Sequence, residues 1–463
     1  MNKFAFASVS ALSAVSVLAG IPNVSNVKMS QDPVSRRVTI TYHLDAPAVV
    51  TLDVVTNSPS GWVSIGGEHI CGVGVNPAAP VGDVWRRVDA GDHTINWQPD
   101  ATWPDSTVTD AQAKAVVTAY PLDDTPDYMV VDLAQSSARR VRYYPSVDFV
   151  PGGILSNAEY RTTLLPMRKI RAKDVTWLMG SVGEKGRDTS GAEACHSVTL
   201  DHNYYIGVFE FTQRQWYTLK DGVWPTAAES RFTETRDLRP VDSTAYNALR
   251  NGPSTSDNDV VTTYPDPPAT TSIIGKLRTR TICSEFATGV DFDLPGEAEW
   301  EFAARAGHGD GYWNDGSAIL GSDASDDNLE KLARDKFNGG YLNDKLPAGT
   351  CGPTNGTANA GSYLPNDWGL YDMHGNVMEW CLDFYQKDIT GNDKDGNPLN
   401  GRVNAVGKNQ TLDGSTATDR VLRGGAYYQN PAYLRPAWRG NHKPSSTYDC
   451  YYGFRVTCRA GLR

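Results

Sequence analysis

Leu294-Pro295-Gly296-Glu297-Ala298-Glu299-Trp300-Glu301-Phe302-Ala303-Ala304-Arg305 reads as a helix opening after a proline–glycine turn. Its acidic first turn suits the positive end of the helix dipole, Glu301 and Arg305 form an i,i+4 pair, and Gly307 supplies a stop. Upstream, Thr212-Gln213-Arg214-Gln215 has the pattern of a capping box, after which Trp216 and Leu219 share a face. The residues around these two helices are mostly turns and short strands. With 43 glycines, 12 tryptophans and 22 tyrosines, the composition favours an aromatic-lined, loop-rich fold over a helical bundle. Such loops need tying down by disulfides, metal ions or buried aromatics.

Toward the N-terminus the pattern changes to alternation with period two. Residues Arg37–Tyr42, Val49–Val55, His93–Trp97 and Ala115–Tyr120 read as strands between Gly, Pro and Asp clusters. Their spacing predicts an all-β immunoglobulin-like sandwich over residues 20–150, a positioning or structural module, with a carbohydrate- or surface-binding module as the alternative. Pro151-Gly152-Gly153 opens a linker at 151–166, and a second domain spans 167–463. Two domains are what a chain of 463 residues leads one to expect.

Lys3 precedes an apolar run from Phe4 to Leu18, and Val17 and Ala19 occupy the −3 and −1 positions of a cleavage site. Residues 1–19 are therefore expected to be a cleavable signal peptide, making the protein secreted or periplasmic. No later segment reaches the roughly 20 apolar residues of a transmembrane helix. A net charge of −11 without a basic run disfavours nucleic acid as a partner. Seven cysteines in an exported chain suggest disulfides with one thiol left over, and Cys283 with Cys458, or with Cys450, is the expected bridge.

Six segments now stand in order: Trp177–Ser181, Tyr204–Thr212, Leu294–Arg305, Gly369–Trp380, Arg423-Gly424-Gly425 and Gly453-Phe454-Arg455. Together they resemble the formylglycine-generating enzymes, or sulfatase-modifying factors, over about two-thirds of the chain. The resemblance implies a complex α/β fold related to C-type lectins, with little regular secondary structure. It also implies copper-dependent oxidation, by molecular oxygen, of a sulfatase cysteine to formylglycine. In the family two cysteines shortly after the Arg-Gly-Gly motif hold the copper. Here Gln429 and Leu434 take the cysteine positions and Ala426 takes that of a serine. An amide and an isobutyl group cannot replace the thiolates that select copper, so the chain is expected to be a catalytically divergent member, a pseudoenzyme.

The same resemblance implies a calcium site made by Asp372, Gly375, Val377 and Glu379. Its chemistry is reasonable, since calcium takes hard oxygens and a glycine lets the chain fold around the ion. The alternative is that Asp372 caps a turn and Glu379 pairs with a core arginine such as Arg455. A second site using Asn338 and a residue near Asn355 matches poorly. The calcium-like run Asn392–Asn397 has Pro398 where a glycine belongs and reads as a solvated loop. Glu193, His196 and His202 lack the spacing of an iron site and read as surface or loop-packing residues. Tyr427, Tyr428, Gln429, Tyr433, Arg435 and Trp438 are expected to line a groove that binds a peptide, protein or glycan; the alternative is that half of the aromatics of this C-terminal stretch fill the core between the Gly-Gly and Gly-Phe-Arg strands. The alternative function is a protein-modifying oxidase with another ligand arrangement, drawing on Cys450 and Cys458.

Overall fold

A computed structural model describes residues 21–72, 79–104, 112–134, 140–226, 229–232, 236–251, 266–283, 289–338, 356–386, 419–445 and 450–461, with the backbone of 402–403. The expected signal peptide, the loop at 392–398 and Asn355 lie outside the described residues.

All four strands expected from alternation are present. The N-terminal part contains β1 (Val24–Gln31), β2 (Val38–Leu44), β3 (Ala48–Ser58), β4 (Gly61–Ser64), a short helix α1 (Gly67–Cys71), β5 (Val81–Gly82), β6 (Arg86–Val88), β7 (Gly91–Trp97) and β8 (Ala113–Tyr120). One sheet has the order β1-β2-β7-β5; the other has β4-β3-β6, with β8 also paired to β3. On β2, Val38, Ile40, Tyr42 and Leu44 point inward. On β3, Ala48, Val50, Leu52 and Val54 do so, and both sets meet in one core. Period two thus does here what it does in any half-buried sheet.

The chain continues through β9 (Tyr128–Asp132), β10 (Val141–Tyr144), β11 (Leu164–Ile170), β12 (Thr176–Met179), β13 (His196–Thr199) and β14 (Tyr204–Gly207). Helices α2 (Gln213–Leu219), α3 (Tyr246–Arg250), α4 (Ile273–Arg280) and α5 (Glu297–Arg305) follow. Then come β15 (Met378–Phe384), β16 (Arg402–Val403), β17 (Arg420–Arg423), α6 (Pro431–Leu434), β18 (Gly440–His442), β19 (Tyr452–Gly453) and β20 (Thr457–Arg459). A five-stranded antiparallel sheet has the order β10-β9-β11-β14-β20, so strands from either side of residues 151–166 lie in one sheet, and β11 begins inside that segment. β9 faces two ways: Tyr128 and Val130 join the core of the N-terminal sheets, while Met129 and Val131 join that of the C-terminal region. A second sheet, β18-β17-β15-β19, carries the Arg-Gly-Gly and Gly-Phe-Arg segments beside the strand after Gly375.

Both expected helices form. At α2 the Thr212 side chain accepts from the Gln215 amide (3.1 Å) and Gln215 Oε1 from the Thr212 amide (3.0 Å), closing the capping box. At α5, Glu299 Oε2 accepts from the Gly296 amide (2.8 Å), and left-handed Ala306 and Gly307 end the helix. The expected disulfide needs correction. All six described cysteines are free, Cys283, Cys450 and Cys458 among them. Cys458 is instead buried in the apolar core, and the Cys450 thiol lies 3.3 Å from the Tyr427 hydroxyl.

Candidate functional site

The C-terminal loops are tied together by buried ion pairs centred on α5. Glu297 receives Arg439 through Nε (2.6 Å) and Nη2 (2.8 Å). Glu301 receives Arg305 Nε (2.8 Å), the Gly180 amide (2.9 Å) and Arg423 Nη2. Burial alone would raise the Glu301 carboxyl, but Arg305 and Arg423 outweigh it and hold its pKa below the usual range. Between these residues, the Trp300 indole N–H donates to Glu379 Oε2 (2.7 Å). The apolar face of the helix, Trp300, Ala303 and Ala304, packs on Tyr204, Ile206, Leu370 and Val421. This one short helix thus contacts most of the motif segments at once.

Glu379, an expected calcium ligand, is fully buried and held by Arg455. Arg455 Nε lies 2.9 and 2.7 Å from its two oxygens and Nη2 lies 2.7 Å from Oε1. With the Trp300 bond, the acceptor positions of this carboxylate are taken. Asp372 differs. Its Oδ2 accepts from the Gly361 amide (2.6 Å), while Oδ1 is buried and unpartnered. Asp372, Gly375 and Asn376 are all left-handed (φ 56°, 76° and 58°), so the chain folds tightly here. A Cβ on Gly375 would stand 2.1 Å from the Arg334 carbonyl oxygen, which makes glycine obligatory. Val377 is buried, and its amide donates to Glu210 Oε1 (3.0 Å).

Glu210 escaped sequence reasoning, although a lone carboxylate in the apolar run Ile206–Phe211 is a signal in itself. It is fully buried and also accepts from Asn376 Nδ2 (2.6 Å). Burial, then the charges of Asp372 and Glu379, push its pKa well up; burial likewise raises Asp372 to about 6. Three buried carboxyl groups thus share one fully buried guanidinium, with Arg161 also acting on Asp372, and one oxygen of Asp372 is left open. Of these three side chains only Asp372 offers an oxygen that a hard cation could take without displacing a hydrogen bond. Glu379 could join it only by giving up a hydrogen bond. No three His, Cys, Asp or Glu side chains converge as a metal centre among the described residues.

The six expected groove residues divide. Arg435 is fully buried, paired with Glu193 (2.7 and 2.8 Å) and Glu184 (3.1 Å), and Tyr427 is buried against Phe232. Both hold the core together rather than face a ligand, because a guanidinium in apolar surroundings needs its carboxylates. Tyr428 stacks on Tyr451 (4.5 Å between centroids), and Tyr433, 42% exposed, meets Trp438 edge-on (5.6 Å). Gln429 Oε1 accepts from the Ala426 amide (3.0 Å), and Leu434 fills an apolar cluster with Trp313, Ile319, Leu329, Leu332 and Ala333. Neither side chain recreates a thiolate pair, so these positions do not fit copper.

Glu193, His196 and His202 have separate partners. Glu193 belongs to Arg435, His196 Nδ1 donates to the Ala194 carbonyl (2.9 Å), and His202 bridges Asp201 and Glu299, with Nε2 2.8 Å from Glu299 Oε1. Asn338 Oδ1 accepts from the Asp335 amide (2.8 Å).

This geometry defines a loop-rich α/β scaffold clamped around one short helix by arginines that lie on or beside short strands. The chain belongs to the sulfatase-modifying factor family: the profile described as a Sulfatase-modifying factor enzyme 1-like domain matches residues 162–460. It is 29% identical over 175 residues to a formylglycine-generating enzyme of Thermomonospora curvata, covering 37% of this chain and 50% of that one. It is 31% identical over 172 residues to the serine/threonine-protein kinase pkn1 of Chlamydia pneumoniae, covering 37% of this chain and 22% of that one. An inactive C-alpha-formylglycine-generating enzyme 2 of Bos taurus is 37% identical over 94 residues, covering 20% of this chain and 27% of its own. The chain thus spans half or less of the length of these relatives. Among solved structures, Treponema denticola variable protein 1 is similar with 22% identity and a TM-score of 0.42, covering 64% of this chain and 96% of its own. PvdO from Pseudomonas aeruginosa follows with 22% identity and a TM-score of 0.39, covering 64% and 94%. No helix among the described residues is long and apolar enough to cross a membrane.

Two outcomes follow from the ion pairs. Glu379→Gln leaves Arg455 buried against a neutral amide and is expected to cost about 3–5 kcal/mol in urea unfolding; a loss under about 1 kcal/mol would show the pair to be dispensable. Burial lowers the pKa of His202, but Glu299 and then Asp201 outweigh it, and the net shift is upward. A raised folded-state pKa gives stability that is fully present below the unfolded pKa of about 6.5 and lost as pH rises through the folded value. The melting-temperature gap between wild type and His202→Gln should therefore be wider at pH 5.5 than at pH 8.5.

Proposed function

We propose that this chain is an exported, catalytically divergent sulfatase-modifying-factor-like protein that acts as a recognition module for a peptide, protein or glycan. The observation that carries the reading is chemical. Where the family's thiolates belong stand Gln429, hydrogen-bonded to its own turn, and Leu434, packed in an apolar cluster. Beside them, Tyr433 and Trp438, with Tyr428 and Tyr451, offer rings edged by polar atoms, the kind of surface that binds with little loss of side-chain entropy. That a bovine relative carries the name of an inactive enzyme is compatible with such loss of chemistry. Export rests on the apolar run at Phe4–Leu18. The two N-terminal sheets sharing one core are read as an immunoglobulin-like sandwich that positions the C-terminal face. The alternative is an oxidase with a different ligand set.

A cysteine-bearing sulfatase peptide incubated with the protein, copper(I) and oxygen is expected to yield no aldehyde by mass spectrometry. Turnover to formylglycine would establish the oxidase reading instead.

Calcium is the second part of the proposal. Asp372 would supply its open oxygen, the Gly375 and Val377 carbonyls would complete the turn, and Glu379 would stand behind as a charged partner. The ion would offset the surplus of carboxylates. Chelation should then lower the melting temperature by a few degrees, and Asp372→Asn should abolish the response to added calcium. Identical melts in chelator and in calcium would remove the ion from the account.

A further inference from the structure

Arg420, the first residue of β17, is 1% exposed and stacks between two rings, its guanidinium carbon 3.5 Å from the Phe384 centroid and 4.5 Å from that of Tyr246. Nη1 donates to the Leu382 carbonyl (2.6 Å). Nε and Nη2 are buried and have no hydrogen-bond partner. The N–H groups of these two nitrogens lie in the guanidinium plane and point along the same edge, forming the fork that grips a carboxylate side-on.

Elsewhere in the core that fork is used. Arg250 directs Nε and Nη2 at Asp293 (2.8 and 2.9 Å), Arg439 directs them at Glu297, and Arg455 at Glu379. Arg420 has no carboxylate within ion-pair distance among the described residues. Asp293 is already shared by Arg250 and Arg278 Nη2 (3.4 Å), and Asp383 Oδ2 accepts from the Glu297 amide at the start of α5. Stacked rings stabilise the faces of a guanidinium but offer nothing to its in-plane donors. A buried cation whose fork meets no acceptor is costly, and a small anion would relieve it.

We propose that the Nε/Nη2 fork of Arg420 is an internal binding site for a small monovalent anion, of the size of chloride or formate, between β15, β17 and α3. The site is independent of the aromatic face and of Asp372. It adds a bound anion to the devices that hold the C-terminal sheet.

The test uses the full chain and chloride. Melting temperature is followed as gluconate, too large to enter, is replaced by chloride at constant ionic strength, and chloride-35 NMR line width is followed as bromide is added. In the wild type we expect a saturable rise on the order of a few degrees and chloride broadening that bromide displaces. In Arg420→Gln both should be lost. Broadening and stabilisation that persist in the variant would mean an adventitious surface ion only and would overturn the site. If the variant does not fold, the wild type still decides: no displaceable broadening and no dependence on chloride would refute the proposal.

Discussion

A carboxylate can sit in a protein core only with a cation or several hydrogen bonds beside it, and this C-terminal region has accepted that condition repeatedly around one short helix. Glu297, Glu301 and, through the Trp300 indole, Glu379 each require a guanidinium from a strand or loop far away in sequence: Arg439, Arg423 and Arg455. The helix can seat its apolar face only where those strands deliver their arginines. The arginines, in turn, can be buried only where the helix delivers its carboxylates. Such mutual dependence specifies one arrangement of loops that their own backbone preferences would leave open. It does the work that disulfides would do in another small-sheet, loop-rich protein.

Local features were legible in the sequence and long-range partners were not. The capping box at Thr212, the acidic opening of α5, the Glu301–Arg305 pair and the alternating strands of the N-terminal part all depend on residues a few positions apart. The pairing of Glu379 with Arg455 could be raised as an option because both lie in recognisable motifs. Glu210 could not be tied to Asn376 and Val377, because nothing in a one-dimensional pattern places residue 210 against residue 376. The aromatic C-terminal stretch could not be sorted into core and surface, because periodicity says little about a segment that has almost no regular structure. Arg435 went to the inside because Glu184 and Glu193 wait there, some 240 residues earlier in the chain.

Under the proposed reading, in which Ala426, Gln429 and Leu434 stand at the family's serine and cysteine positions, all three also make sense as packing. Leu434 completes an apolar cluster with Trp313 and its neighbours, and its carbonyl receives the Nδ1–H of buried His374. Gln429 closes its own turn through the Ala426 amide. Each residue is part of the scaffold, so placing cysteines at 429 and 434 would have to undo local packing as well as supply sulfur.

β9 belongs to two cores at once, Tyr128 and Val130 on one side and Met129 and Val131 on the other, and it hydrogen-bonds to β11 across the bend at 151–166. The two halves are therefore not interchangeable cassettes. A cut anywhere between them strips one partner from a strand whose two faces are both greasy, leaving a raw ladder edge of the kind that recruits other chains. Grafting the family scaffold onto a different N-terminal partner would thus have to carry β9 and β10 along with it.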